Sequence, residues 1–379
     1  MSGPSPESRK SLALSAASSL ESNRSRASSM TAVVGFDVMV DSIIRVVDTK
    51  DAQGFTPMRR IEQFAERVAK AAGRSINIEF RVELEKLGGN GALMGEGLAR
   101  AGARVSFIGS IGGDGPGGVH PVFADFARRC ERVCATGGPG FTDALEFDDG
   151  KVLLGRTAAL ESITWKNVVR AAGGVDALRG MIDGAGCLVP VSWTQVPHMD
   201  EVWKGLIRDV LPKIDASRRP AVFIDLADPR KRTEEALSGA LDLLQEMNAL
   251  APVTLGLNLS ESKQVAKVLG LREPETLDEG APLVREAMGL ACVVTHGHRA
   301  GAAASMDGEV ASFEGPYTKT PKISTGAGDH FNAGFALASG LGLPAGQCLA
   351  AASALSGWYV RKGLGPSLEE WIGFLRALP

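Results

Sequence analysis

Ser324-Thr-Gly-Ala-Gly-Asp-His-Phe-Asn-Ala-Gly-Phe335 is a small-residue turn that ends in a carboxylate and runs into an apolar helical pattern. Gly326, Ala327 and Gly328 precede Asp329, and Phe331, Phe335 and Leu337 mark the buried side of the helix that follows. A helix start leaves backbone N–H groups without intrahelical partners, and the helix dipole adds partial positive charge there. Such a turn suits a phosphate or a developing oxyanion. A carboxylate at its edge can take a proton from a hydroxyl. The expectation is phosphoryl transfer to an alcohol.

Upstream of this turn, apolar strands alternate with amphipathic helices. Residues 32–35, 105–108, 187–191, 221–225, 253–257 and 291–295 read as strands that are apolar on both faces. Helical spacing covers 91–101, 199–211, 233–248, a segment from Ser260, and 281–289. After Asp329 the spacing predicts helices over 330–340, 344–361 and 367–377. This alternation predicts an α/β fold, a mostly parallel sheet with helices on both faces. Ligands of such sheets gather beyond the carboxyl ends of the strands, so polar residues just after strands are the ones to test.

Some strands do not fit that sheet. Residues 76–87 alternate apolar and polar, and 142–157 form a second alternating pair broken by Asp148-Asp-Gly150, a hairpin signal. With a strand over about 41–50, these segments predict a small discontinuous β lid, its strands drawn from 41–50, 76–87 and 142–160. A helical pattern over 59–72 stops at Gly73. Residues 1–30 are rich in Ser, Arg, Ala and Glu and poor in large apolar residues, and are expected to be disordered. The folded domain is expected to run from 31 to 379.

Composition narrows the partners. A net charge of −3 over 379 residues gives no electrostatic case for nucleic acid or a membrane surface. No apolar run approaches the roughly 20 residues that span a bilayer. Five cysteines, an odd number, do not read as a disulfide framework, and no secretory signal opens the chain. A cytoplasmic location follows as the expectation.

Four further constellations lie after strands. Leu87-Gly-Gly-Asn-Gly-Ala92 opens a helix, and its Asn90 amide can bond hydroxyls. Gly89, Gly91 and Gly95 also mimic a dinucleotide fingerprint, but no acidic strand end follows about 20 residues on. Asp37 and Asp41 follow the first strand and suit paired sugar hydroxyls; otherwise one is a turn cap and the other solvated. Asn258-Leu-Ser-Glu261 can hold a hydrated Mg²⁺, or be a cap in which Ser260 is the N-cap and Glu261 a first-turn acid. In isolation the cap is the stronger reading. Thr295-His-Gly-His298 places Thr295 and Gly297 where nucleotide phosphates would meet them, while the two histidines lack a third metal ligand. His330 is read as stacking or capping, since Asp329 fills the role of base.

Taken together, and in this order, these residues resemble the ribokinase/PfkB family of carbohydrate and nucleoside kinases over about Thr31 to the C-terminus. Gly88-Gly89-Asn90 resembles the sugar-binding double glycine, Gly112-Gly-Asp-Gly115 the glycine–acid turn, and Asn258-x-x-Glu261 the N-x-x-E magnesium and phosphate motif. Thr295-x-Gly297 resembles the T-x-G nucleotide turn, and Gly326-Ala-Gly-Asp329 the anion hole and catalytic base.

The resemblance implies a Rossmann-like three-layer α/β/α sandwich, ribokinase-like, with a β lid. It implies an ATP-dependent carbohydrate kinase with Asp329 as general base and Gly326, Ala327 and Gly328 as anion hole. Asp37, Asp41, Gly88, Gly89 and Asn90 would bind the sugar. Asn258, Glu261, Thr295 and Gly297 would serve the nucleotide, with Glu261 reaching Mg²⁺ through water. A homodimer through the lid is also implied.

There are departures. Ile323 stands where the family usually has an aspartate that helps bind a monovalent cation, which leaves potassium activation open. Leu93 replaces a sugar-loop asparagine. Asp41 lies six residues after Gly35 instead of five, a spacing similar to the ADP-dependent sugar kinases; ATP is kept as donor. A nucleoside kinase or a non-catalytic sugar- or nucleotide-binding relative remain the alternatives. A phosphosugar acceptor would want a lid cation, for which Lys151 and Arg156 are the candidates.

Overall fold

The computed structural model describes residues 6–378. Two helices, α1 (Pro6–Ser22) and α2 (Arg24–Ser29), lead into β1 (Thr31–Phe36). The chain then leaves for β2 (Met39–Lys50), β3 (Phe55–Pro57), α3 (Ile61–Ala69) and β4 (Phe80–Gly88). It returns through α4 (Asn90–Arg100), β5 (Arg104–Gly109), α5 (Ala124–Arg129) and β6 (Arg132–Ala135), and leaves again for β7 (Gly140–Phe147) and β8 (Gly150–Arg156). Next come α6 (Trp165–Ala172), α7 (Val175–Ile182), β9 (Cys187–Val191), α8 (Met199–Gly205), β10 (Ala221–Asp225), α9 (Glu234–Asn248) and β11 (Val253–Asn258). The last part holds α10 (Leu259–Val268), α11 (Leu277–Met288), β12 (Cys292–His296), β13 (Ala300–Ser305), β14 (Val310–Glu314), α12 (Ala327–Gly340), α13 (Ala345–Lys362) and α14 (Leu368–Arg376).

Nine strands form one sheet in the order β14-β13-β12-β11-β10-β9-β1-β5-β6. From β12 to β6 every pair is parallel, and β13 and β14 close one edge antiparallel. The strands are apolar on both faces because each face carries its own core. Val34, Phe107, Val189 and Val294 pack toward α4, α12, α13 and α14, while Val33, Ile108, Leu255 and Val293 pack toward α6 to α9 and α11. The result is the three-layer α/β/α sandwich.

The second sheet has five strands, β3-β2-β7-β8 with β4 also paired to β2. It is built from segments far apart in sequence, and its small core is Ile44, Val46, Met58, Leu145 and Phe147. β2 begins at Met39, ahead of the expected residue 41, and residues 76–79 lie outside β4. The expected half-buried character of β4 is corrected as well. Phe80, Val82 and Leu84 are 39%, 56% and 55% exposed, because no described helix covers that part of the lid.

The expected disorder of residues 1–30 is corrected for the described part; residues 1–5 lie outside it. Ala13, Ala16, Ala17 and Leu20 are completely buried, at helical spacing of three, four and seven. They form a narrow stripe of small residues against α13 and α14. Arg9 donates to the Glu314 carbonyl and Gln347 to the Ser15 hydroxyl, tying the helix to the body.

Candidate functional site

β1, β9, β10, β11 and β12 all end on one side of the sheet, and their next residues build the site. Asp37, just past β1, is fully buried. Its Oδ1 accepts the N–H groups of Gly91 and Ser192, each at 3.0 Å, and its Oδ2 accepts that of Asn90 at 2.8 Å. One carboxylate thus pins the start of α4 and the end of β9 to the end of β1. Burial raises the Asp37 carboxyl, and the three backbone bonds oppose it.

Above Asp37 a cavity of about 520 Å³ lies between the sheet ends and the lid. The lid contributes Asp41, Lys86, Thr142 and Lys151; the body contributes Asn90, Leu93, Thr194, Lys231, Thr325 and Asp329. Asp41 and Lys86 face each other across β2 and β4. Burial raises the Asp41 carboxyl and lowers the Lys86 ammonium, and each partly offsets the shift of the other. Gly88 is required here: a Cβ on it would lie 2.4 Å from the Asp41 carboxylate. The Lys151 ammonium, carried in on the β8 hairpin, donates to Thr325 Oγ1 at 3.1 Å. That bond joins the lid to the opening turn.

The turn itself is held from below. Gly326 caps α12 with φ of 89°, a left-handed conformation that glycine adopts without strain. Tyr359 donates to the Thr325 carbonyl at 2.8 Å, and His330 stacks on the Tyr359 ring with centroids 3.6 Å apart. His330 Nδ1 contacts the Gly326 carbonyl at 2.8 Å and Nε2 faces Glu96 at 3.4 Å. Burial works against ionising Glu96, but its bonds from His330 and Arg100 hold the carboxyl below its ordinary range. His330 is therefore a prop beneath the turn, in line with the stacking role expected of it.

On the other side of the turn, Ser324, Ala327 and Gly328 line a second cavity of about 320 Å³ with Asn258, His296, Gly297, Tyr317, Phe331 and Val360. His296 lies tilted against Phe331 with ring centroids 4.8 Å apart, and burial pulls it down to about 4, so it is neutral at pH 7. The opening turn is thus the wall between two cavities. Asp329 and Thr325 face the first; Ala327 and Gly328 face the second.

Carboxylates crowd the wall. Asp329 is pushed well above the usual range by burial, then by repulsion from Asp225 and Asp37, and its Oδ1 is enclosed without a hydrogen-bond partner. Asp225, at the end of β10, accepts from Asn332 Nδ2 at 2.7 Å and from the Ala227 N–H at 2.6 Å. Burial, with Asp37 nearby, raises it to about 6. Ala227 holds a φ of 56°, a costly conformation for a residue with a Cβ, two residues after this acid. Glu261 rises to about 8, again through burial first and then Asp225. Asn258 and Glu261 form a reciprocal capping box at the start of α10, so the N-cap is Asn258 and not the expected Ser260.

Not every expected residue reaches a cavity. Thr295 is fully buried, and its hydroxyl donates to the Leu277 carbonyl at 2.8 Å. Gly297, Asn258, Asp41, Gly89 and Asn90 do line the cavities. Missed at the sequence level were Asp225, Thr142, Thr194, Lys86, Lys231 and Thr325. Asp225 was findable by the same rule that selected Asp37, since it ends an apolar strand. Lys86, Thr142 and Lys231 enter only through tertiary packing.

Comparison with known proteins gives concordant results. The family described as "Khk: Prokaryotic ketohexokinase" matches residues 14–377. A ketohexokinase of Haloferax volcanii is 26% identical over 345 residues, covering 90% of this chain and 89% of its own. Among solved structures, a putative ribokinase II from E. coli superposes with a TM-score of 0.63 at 14% identity, covering 92% of this chain and 100% of that one. A ribokinase from Arabidopsis thaliana, complexed with ribose and ATP, gives a TM-score of 0.59 at 17% identity, covering 92% and 98%. The solved structures bear out the ribokinase-like fold.

Proposed function

The chain belongs to the prokaryotic ketohexokinase family and is an ATP-dependent sugar kinase, and from that premise we propose that it transfers the γ-phosphoryl group of ATP to a hydroxyl of a ketohexose, with Asp329 as general base. The observation that carries the catalytic part is the wall between the cavities. The acceptor sits in the larger cavity, where Asp41 and Asn90 accept and donate to its hydroxyls. The nucleotide sits in the smaller one, its flat base matched by Tyr317, Phe331 and Val360. Between them, the Gly326–Gly328 turn that starts α12 meets the phosphoryl group in passage, its Ala327 N–H already given to the Ser324 carbonyl at 3.2 Å, and the Asp329 carboxylate on the acceptor side takes the hydroxyl proton. Positioning and electrostatics carry most of such a reaction. Asp37 takes a positioning role, since its carboxylate is committed to three N–H groups.

Mg²⁺ fits the acids present. Among the described residues no three side chains are grouped to hold a bare metal ion. Asp225 and Glu261 repel one another near Asn258, so a hydrated cation there would relieve both. When bound, Mg²⁺ would neutralise charge on the phosphate oxygens. A monovalent cation is left out of the proposal because Ile323 offers it no oxygen from its side chain.

The lid supports a dimer. Val82, Leu84 and Leu153 are each more than half exposed, an apolar surface that a second copy of the lid would cover. No described helix is long and apolar enough to cross a membrane. All five cysteines are free, which suits the cytoplasm.

The test is a panel of ketoses, aldoses, sugar acids and nucleosides with ATP and with ADP. Preferred turnover of a ketohexose with ATP is expected. Preference for a nucleoside, or no transfer to any acceptor, would overturn the proposal.

A further inference from the structure

The wall region holds Asp37, Asp41, Asp225, Glu261 and Asp329, and a nucleotide would add further negative charge. Among the described residues, Lys86, Lys151, Arg230 and Lys231 line the acceptor cavity or the small cavity beside Glu261; two of them are held by bonds, and a third has a charge opposite it. Lys86 faces Asp41 across the lid strands. Lys151 donates to Thr325 and lies 4.0 Å from Glu146. Arg230 is clamped on both oxygens of Asp228, at 2.8 and 3.0 Å. The fourth, Lys231, lines the acceptor cavity with Asp329 and Thr325, and its ammonium makes no hydrogen bond or ion pair with the described residues.

Its backbone is fixed nonetheless. Pro229–Lys231 is a tight turn capped by Asp228, whose Oδ1 accepts the Arg230 N–H at 3.2 Å. Arg232 donates to the carbonyls of Trp193 and Val196, both at 2.5 Å, and its guanidinium lies 4.4 Å from the Trp193 ring centre. The preceding residues, Asp228, Pro229 and Arg230, line a small cavity of about 100 Å³ with Asn258 and Glu261. The turn therefore straddles the boundary between the Asn258–Glu261 side and the acceptor side. Lys231, next to that boundary, lines the same cavity as Asp329 and Thr325.

We propose that Lys231 is a catalytic residue whose ammonium contacts the equatorial oxygens of the phosphoryl group in transfer. This rests on the kinase reading above. In that step the acceptor oxygen bonds to the γ-phosphorus as the bond from phosphorus to the β–γ bridging oxygen breaks. The acceptor proton goes to Asp329, and ADP leaves with the bond pair. Charge on the three equatorial oxygens is then met by backbone N–H groups on one side and by Lys231 on the other. Loss of one preorganised donor of this type costs about 10²-fold or more in turnover.

The experiment compares wild type, Lys231→Met and Lys231→Arg. Lys231 is exposed, so thermal melting is expected to be unchanged. Turnover of Lys231→Met should fall about 10²-fold, with KM for ketohexose and ATP within about threefold, and Lys231→Arg should recover part of it. Calorimetry supplies a second readout. ADP with aluminium fluoride and ketohexose, a mimic of the planar phosphoryl group, should bind about 10²-fold more weakly to Lys231→Met, while ADP alone binds as before.

Unchanged turnover overturns the proposal, as does retained affinity for the mimic. A loss confined to the acceptor KM also overturns it, and makes Lys231 an acceptor-binding residue. Inactivity of the wild type toward every acceptor would refute the kinase reading itself, and this inference with it.

Discussion

Replacing Asp329 by Asn separates chemistry from stability. The amide keeps the shape of the side chain but cannot take a proton from the acceptor. A positioned general base contributes about 10²- to 10⁴-fold to rate, which is roughly 3–5 kcal/mol of barrier. Turnover should fall by that factor while the acceptor KM changes little. Stability should move the other way. The Asp329 carboxyl is driven upward by burial and by Asp225, Asp37 and Asp41, and its Oδ1 has no donor to receive. A carboxyl raised in the folded state holds a proton that the unfolded chain has already lost. Its contribution is complete below the ordinary value of 3.8 and disappears as pH rises through the folded value. The Asn variant has no such loss, so it should melt at or above the wild type at neutral pH, and the gap should widen toward alkaline pH. Coupled detection of ADP and thermal melting across pH measure both effects. Turnover near that of the wild type, or a variant that melts lower as pH rises, would refute the reasoning.

Three other expectations follow from single contacts. Gly88→Ala puts a Cβ 2.4 Å from the Asp41 carboxylate, so Asp41 must swing away; losing one hydrogen bond to a charged group should raise the ketohexose KM roughly 10- to 100-fold, with turnover nearly kept in steady-state kinetics. Glu261 binds its proton until about pH 8 when folded but only to its ordinary value of 4.5 when unfolded, so its contribution is lost between those values. Glu261→Gln should therefore gain in melting temperature relative to wild type from about pH 5 to about pH 9, and should need roughly tenfold more Mg²⁺ for half-maximal rate. The double change Val82→Glu with Leu84→Glu charges the exposed lid face and should halve the mass seen by light scattering, whereas a constant mass would exclude that face as the dimer contact.

Much of this architecture is legible before any coordinates. The strands of the main sheet are apolar on both faces, and such runs belong to a sheet covered by helices on each side. The opening turn is equally readable, because a glycine–acid run at a helix start has a local cause. The unread parts share one property: their meaning is set by distant residues. The α1 stripe is three alanines and a leucine, whose burial depends on α13 and α14 standing opposite. Phe80, Val82 and Leu84 alternate as a half-buried strand would, yet among the described residues no helix covers them. Thr295 occupies the expected motif position, but the start of α11 claims its hydroxyl. Lys86 and Lys231 look like ordinary surface charges until the lid and the β10 loop bring them to one cavity.

Asp37 has a mechanical consequence. β2 departs two residues after it, β4 ends at Gly88 just before the Asn90 and Gly91 N–H groups that it holds, and β7 starts at Gly140, bonded to the Val38 carbonyl at 2.9 Å. Three lid strands leave the body within a few residues of one knotted carboxylate. The lid is therefore a lever with its fulcrum at Asp37. A rotation of the lid about that fulcrum would move Gly88, Gly89 and Asn90 least and leave the acceptor's first contacts in place. The same rotation would carry the far end through the greatest arc, and there Lys151 is bonded to Thr325. Grip on the sugar and admission to the reacting geometry are thereby set at opposite ends of one arm.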